Sequence, residues 1–278
     1  MTGNKQITQG EDVDSTESPV TYSIKAKKQY AMIPGYAERR NVEISEMLGP
    51  YIETTDKYGE LLTRICIILG EIEPQSIQDS VLRDLMSDVF DFLYESRAFV
   101  LRGQILLAYP LARRAYESLS LMQWCSFDQN AAEAWSAGEK YQNYEVRNAL
   151  AKHPMGENKE ELKELYNFFC GLTHPNRDMI AFRGLGEGNQ FVFSSIGTPN
   201  LVEVANFCMK SLELWYWFCP VAVWAFKDII LQKDRSFFPD HNNVRGEAQE
   251  LRKWLISQYN HVLDEWEKSE DTVQPKHN

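Results

Sequence analysis

No signature of a familiar chemistry runs through this chain. A Walker A loop is missing: the glycine-rich stretch at residues 184–190, GLGEGNQ, has no lysine and no strand-to-helix setting, and reads as a turn. There is no G-x-S-x-G elbow and no H-E-x-x-H pair. The histidines at 153, 174, 241, 261 and 277 are scattered without metal-ligand spacing, so no metal and no cofactor is expected. His241, next to Asp240 in FPDHNN, reads as part of a loop. Cysteine pairs of C-x-x-C spacing are absent too. Cys66, Cys125, Cys170, Cys208 and Cys219 all fall in apolar, helix-like stretches, and read as buried free thiols. Their odd number, and the lack of an apolar run in the polar, acidic N-terminal stretch, favour a reducing, cytoplasmic setting.

Positive charge is in deficit. Lys and Arg number 29 against 40 Asp and Glu, a net charge of −11. Phosphate-rich partners need positive surface, so a broad nucleic-acid face is excluded and RNA is left only a local basic cleft. Long apolar runs are scarce as well. Leu214 to Phe226, LWYWFCPVAVWAF, falls short of the roughly 20 residues a membrane span needs. Glu213, Lys227 and Asp228 bracket it and Pro220 interrupts it. No transmembrane segment is expected; the run reads as a buried central helix, or, if its tryptophans are exposed, as a dimer surface.

What is present is an ordinary globular composition: 278 residues, 44% hydrophobic and 25% charged. A chain this long buries enough surface to fold without disulfide or metal staples. Its periodicity is helical. Tyr58, Leu61, Leu62, Ile65, Ile68, Leu69 and Ile72 recur at three and four. The pattern predicts helices over about 37–48, 51–72, 77–93, 111–126, 128–141, 143–151, 158–172, 199–231 and 244–268. Ser76 and Asp128 read as caps, and Pro110 as a kink or a new start. Residues 179–195 differ: MIAFRG and QFVFSS flank a glycine-rich turn, a pattern compatible with a short β-hairpin. The expected architecture is a mainly α, antiparallel helical bundle. One domain at 21–268 lies between a disordered N-terminal tail, 1–20, and a C-terminal tail, 269–278.

Three groups of residues carry chemical interest. Arg113 and Glu117 lie four apart and share a helix face, continued by Ser120 and Trp124. Polar groups in so apolar a helix need partners, either each other or a pocket. Tyr166, Thr173 and His174 lie along a second helix that stops at Pro175; a histidine at a helix C-terminus can cap it or can trade protons near neutral pH. Arg147, Asn148 and His153 form the third group. Metal-independent RNA cleavage needs a base for the ribose 2′-hydroxyl and a cation on the scissile phosphate, and Arg with His supplies both. A plain surface role fits the same spacing.

The order of these groups carries a resemblance. An Arg/Glu-bearing apolar helix, an acidic Ala/Trp-rich helix, then a helix ending in Tyr-x7-His-Pro resembles a group of uncharacterised bacterial all-helical proteins related to the HEPN superfamily. The matching residues are Arg113 or Arg114, Glu117, Tyr166, Thr173, His174 and Pro175, and the likeness covers roughly 80–230. It implies a helical bundle. Many such proteins are homodimeric RNases of toxin or antiphage systems; others only bind. Their signature, Arg, a polar residue, then His four to six residues on, is matched by Arg147-Asn148…His153. His174 has no arginine at that distance, and His153 precedes Pro154 where the family motif opens a helix.

Three functions are therefore expected to compete. The first is a self-associating interaction or binding module. The second is a metal-independent RNase using Arg147 with His153 or His174. The third is a small-ligand module whose pocket is lined by Arg113, Glu117, Tyr166, Thr173 and His174.

Overall fold

A computed structural model describes residues 19–154, 156–171, 173 and 201–273. The expected hairpin at 179–195 and His174 lie outside them. Among the described residues there are ten helices and no strand, a mainly α helical bundle. The helices are α1 (Pro19–Met47), α2 (Gly49–Gly70), α3 (Ile77–Leu101), α4 (Ile105–Phe127), α5 (Gln129–Ser136), α6 (Asn143–Lys152), α7 (Lys159–Gly171), α8 (Leu201–Ala225), α9 (Lys227–Lys233) and α10 (Phe237–Val273).

Several ends differ from the periodicity. The first helix begins at Pro19 rather than near 37: among its described side chains only those of its last turns, Arg40 and Ile44, are buried, so no apolar stripe marks residues 30–36. The α5 helix stops at Ser136, short of Tyr141, because Gly138 takes a left-handed φ of 96° that ends the turn. The predicted 199–231 helix breaks at Phe226, where α8 and α9 bend by 79°. His241 lies in a helix, not a loop: α10 starts at Phe237, with Pro239 in the first turn, where its missing N–H is no loss. Pro110 starts nothing; α4 runs through it from Ile105 and gives up one backbone bond. Cys66 is exposed and Cys170 half-buried, so three of the five thiols, Cys125, Cys208 and Cys219, are buried as expected.

The core centres on α4 and α8. Alanines 108, 112 and 115 let neighbouring helices approach α4, while Tyr109, Tyr116, Leu119 and Met122 fill the space around it. The apolar run in α8 is mostly interior: Leu214, Trp215, Phe218, Cys219 and Phe226 are buried, and Trp224 alone among its tryptophans is exposed. No single described helix is long and apolar enough to cross a membrane.

Polar side chains pin the helices together. Arg83, held by Asp79 at 2.8 Å, donates to the carbonyls of Leu69 at 2.7 Å and Ile72 at 2.6 Å. It thereby caps the open C-terminal end of α2 from α3. Ser76 accepts from the Asp79 N–H at 3.0 Å, as its capping role predicts. Arg64 joins α2 to Asp234, Ser236 and Asp240 around the α9–α10 turn.

Two buried tyrosines of α2 make a matched pair. The Tyr51 hydroxyl shares a 3.0 Å hydrogen bond with Ser211 of α8, whereas the Tyr58 hydroxyl has no partner among the described residues. An unmade buried bond costs more than a made one contributes. Tyr58→Phe should therefore leave stability unchanged or raise it by about 1 kcal/mol, and Tyr51→Phe should lower it by about 1 kcal/mol. Urea titrations of both variants check this; equal losses would show that Tyr58 is paired.

His241 is buried, stacked at 6.3 Å on Phe237, with Nε2 unpartnered among the described residues. Burial, assisted by the charge of Arg245, lowers its pKa below the usual value. Above about pH 6.5 the imidazole is neutral in both folded and unfolded chains, and this group imposes no penalty. As pH falls from there through the lower folded value, the unfolded chain takes the proton first and stability is lost. His241→Phe should flatten the fall in melting temperature between pH 7 and 5.5; a fall identical to wild type would remove His241 as its source.

Candidate functional site

The polar residues of α4 decide where a site can form. Arg113 sits one turn before Glu117, and its Nε donates to Glu117 Oε1 at 3.0 Å. Its Nη2 donates to the Tyr166 hydroxyl on α7 at 3.3 Å. The guanidinium carbon lies 5.5 Å from the Tyr166 ring centroid. Arg147 of α6 approaches the same ring to 4.7 Å, while its Nη1 donates to Asn143 one turn back. Two guanidiniums from two helices thus meet on one tyrosine, an arrangement that the negative ring face favours.

Around this pair, α4 and α7 are laced antiparallel. Gln123 donates to Glu157 at 3.2 Å, the Tyr116 hydroxyl to the Leu162 carbonyl at 2.8 Å, and Arg113 to Tyr166. Descending along α4 thus means ascending along the α7 segment, at the same rise per residue. Burial pushes the Tyr116 phenol up to about 12, although Ser120 and the Arg147 charge pull the other way. Burial and Cys170 also raise Tyr166 above its ordinary value. Both phenols are therefore neutral hydrogen-bond donors at physiological pH. Burial alone would lower Arg113, but the bond to Glu117 and other nearby groups outweigh it, so its charge is secure.

Of the residues singled out from sequence, Arg113, Glu117 and Tyr166 come together, and Arg147 joins them. Thr173 is turned into its own helix end: its hydroxyl donates to the Phe169 carbonyl at 2.6 Å and its N–H to Cys170 at 3.0 Å. His153 caps α6 and stacks on Phe127 at 3.9 Å, beside a cavity of about 540 Å³ that Asn148 and Lys152 also line. Phe127 stands eleven residues beyond Tyr116, about 16 Å along α4. Arg147 and His153 of one chain therefore serve different stretches of that helix. His174 lies outside the described residues.

Tyr116 and Asn143 were missed. Tyr116 was detectable, since it continues the four-residue spacing through Ser120, whose hydroxyl donates to its carbonyl at 2.6 Å. Asn143 carried no signal beyond standing one turn before Arg147. Among the described residues no group of His, Cys, Asp or Glu is arranged to hold a metal ion. No family model matches the chain, and neither a curated protein nor a solved structure does.

The shared ring makes Tyr166 the residue to test. Tyr166→Leu takes the aromatic face from both arginines and should cost about 1–2 kcal/mol in urea unfolding. Tyr166→Phe keeps the face and loses only the hydroxyl's bonds to Arg113 and Cys170, and should cost less than half as much. Equal losses would show that the arginines do not rest on the ring.

Proposed function

We propose that this chain is a binding module of cytoplasmic setting that takes a phosphate-bearing ligand between α4, α6 and α7. One observation carries the reading. Arg147 is half-buried, rests on Tyr166, bonds the neutral amide of Asn143, and pairs with no carboxylate among the described residues. The charge of Arg113, by contrast, is already met by Glu117. In a chain of net charge −11, a half-buried guanidinium without an acidic partner marks local positive potential where anions are otherwise repelled. A guanidinium held by its neighbours offers a planar fork suited to a phosphate. The neutral phenol of Tyr166, which accepts from Arg113, adds a further polar group beside it.

Phosphate, pyrophosphate and adenosine monophosphate, added at fixed ionic strength, should each be tried against chloride by thermal unfolding. At ten times the dissociation constant the gain is about 1.4 kcal/mol, a shift of a few degrees. Arg147→Ala should abolish it. A shift that survives in Arg147→Ala, or none with any of the three, would overturn the reading.

A second reading rests on the same arginine. In a HEPN-type metal-independent RNase, Arg147 would hold the scissile phosphate, and His153 or His174, from the same chain or a second copy, would take the 2′-hydroxyl proton. Support comes from the match of Arg147-Asn148…His153 to that signature. RNA cleavage in EDTA, lost in Arg147→Ala and in one histidine variant, would establish it. Its absence from wild-type protein would leave binding alone. A self-associating chain is part of this reading, and sedimentation showing only monomers at micromolar concentration would count against it.

A further inference from the structure

On the far side of α7, two adjoining cavities of about 310 and 390 Å³ form one groove between α4, α8 and α10. They share three residues: Glu157, Tyr216 and Trp217. Phe127 and Trp224 extend the aromatic lining at one end, and Leu212 and Met209 make the wall at the other. Together these volumes suit a small organic ligand.

The polar groups of the groove are fixed. Trp217 Nε1 donates to Gln123 Oε1 at 2.9 Å, and Gln123 Nε2 donates to Glu157 Oε1 at 3.2 Å. This relay orients a carboxylate where the two cavities join, and no Lys or Arg pairs with it among the described residues. The groove's arginines have partners of their own, but no carboxylate meets Arg245 among the described residues. Arg245 donates through Nε to the Tyr216 hydroxyl at 2.8 Å, and Gln249 donates to the same oxygen at 3.2 Å. Arg252 lies 3.4 Å from Glu213, which Lys210 also approaches. Of the charges that line the two cavities, Glu157, Glu161 and Glu213 face Arg245 and Arg252, an excess of one negative charge.

An oriented, unpaired carboxylate among electron-rich ring faces is the chemistry that recognises an organic cation. We propose that this groove is a binding site for a small organic ammonium ion carrying an apolar body, with Glu157 as the counter-charge and Trp217 and Trp224 as the rings that face the cation and its body. Neither Arg113 nor Arg147 takes part, so the inference stands apart from the phosphate reading.

Isothermal titration of the full chain tests it with three probes of one shape: 2-phenylethylamine, 2-phenylethanol and phenylacetate. The amine should bind at least tenfold more tightly than the alcohol, and phenylacetate should bind weakest. Glu157→Gln keeps the acceptor for Gln123 and removes the charge; it should erase the preference for the amine. Trp224→Ala changes an exposed ring at the rim, so the fold survives, and should weaken the amine several-fold. Equal binding of amine and alcohol, tighter binding of phenylacetate, or a preference that persists in Glu157→Gln would overturn the proposal. So would the absence of amine binding, including the case where sedimentation shows a second copy covering the groove and Trp224→Ala releases it.

Discussion

Burial of α4 on nearly every side is the constraint on which the rest depends. A helix flanked by α3, α6, α7 and α8 has little water to offer its polar side chains, so each must find a partner in the protein. Arg113 finds Glu117 and Tyr166, Tyr116 finds the Leu162 carbonyl, and Gln123 finds both Trp217 and Glu157. Those partners are the walls of both candidate sites. The sites therefore follow from how the core is satisfied; their positions are set by where α4 carries polar residues.

The helical character was legible because periodicity is a local property. Ser76 and Asp128 acted as caps, and the 51–72 stripe became the buried face of α2. Helix ends without a buried stripe were not legible. Residues 24–28 and 30–36 of α1 lie mostly exposed and leave no apolar rhythm, and the start of α10 is set by the Arg64 contacts to Asp234 and Asp240, from a helix about 170 positions earlier in the chain. The bend at Phe226 was hidden for a different reason: one apolar run serves both α8 and α9, so hydropathy does not change across the break.

The site was half legible on the same grounds. Arg113 and Glu117 announce themselves by four-residue spacing, and Tyr166 by its place on an apolar helix. Arg147 drew notice through its distance from His153, yet its neighbours are Tyr166 and Asn143, while His153 stacks on Phe127. Spacing along a chain reports a shared face only while the helix continues, and α6 ends at Lys152 with an extended residue at His153. The groove gave no warning at all. Gln123 of α4, Glu157 of the segment before α7 and Trp217 of α8 stand 34 and 94 positions apart in their hydrogen-bonded pairs, and only the fold brings them together.

The two sites have opposite charge preferences although they share α7 as a wall. Lacing along α4 fixes the distance between them: Arg113 and Gln123 are ten residues apart, about 15 Å of helix. At that separation, which exceeds the screening length of about 8 Å in physiological salt, exposed charges at one site are weakly felt at the other. Each is then governed by its own immediate charges: among the described residues, Arg147 has no ion-pair partner on one side and Glu157 has none on the other. A net charge of −11 describes the chain as a whole and hides this division. The sum over all residues excludes a broad basic face, but local affinity depends on which charges remain uncancelled once the helices have paired the rest.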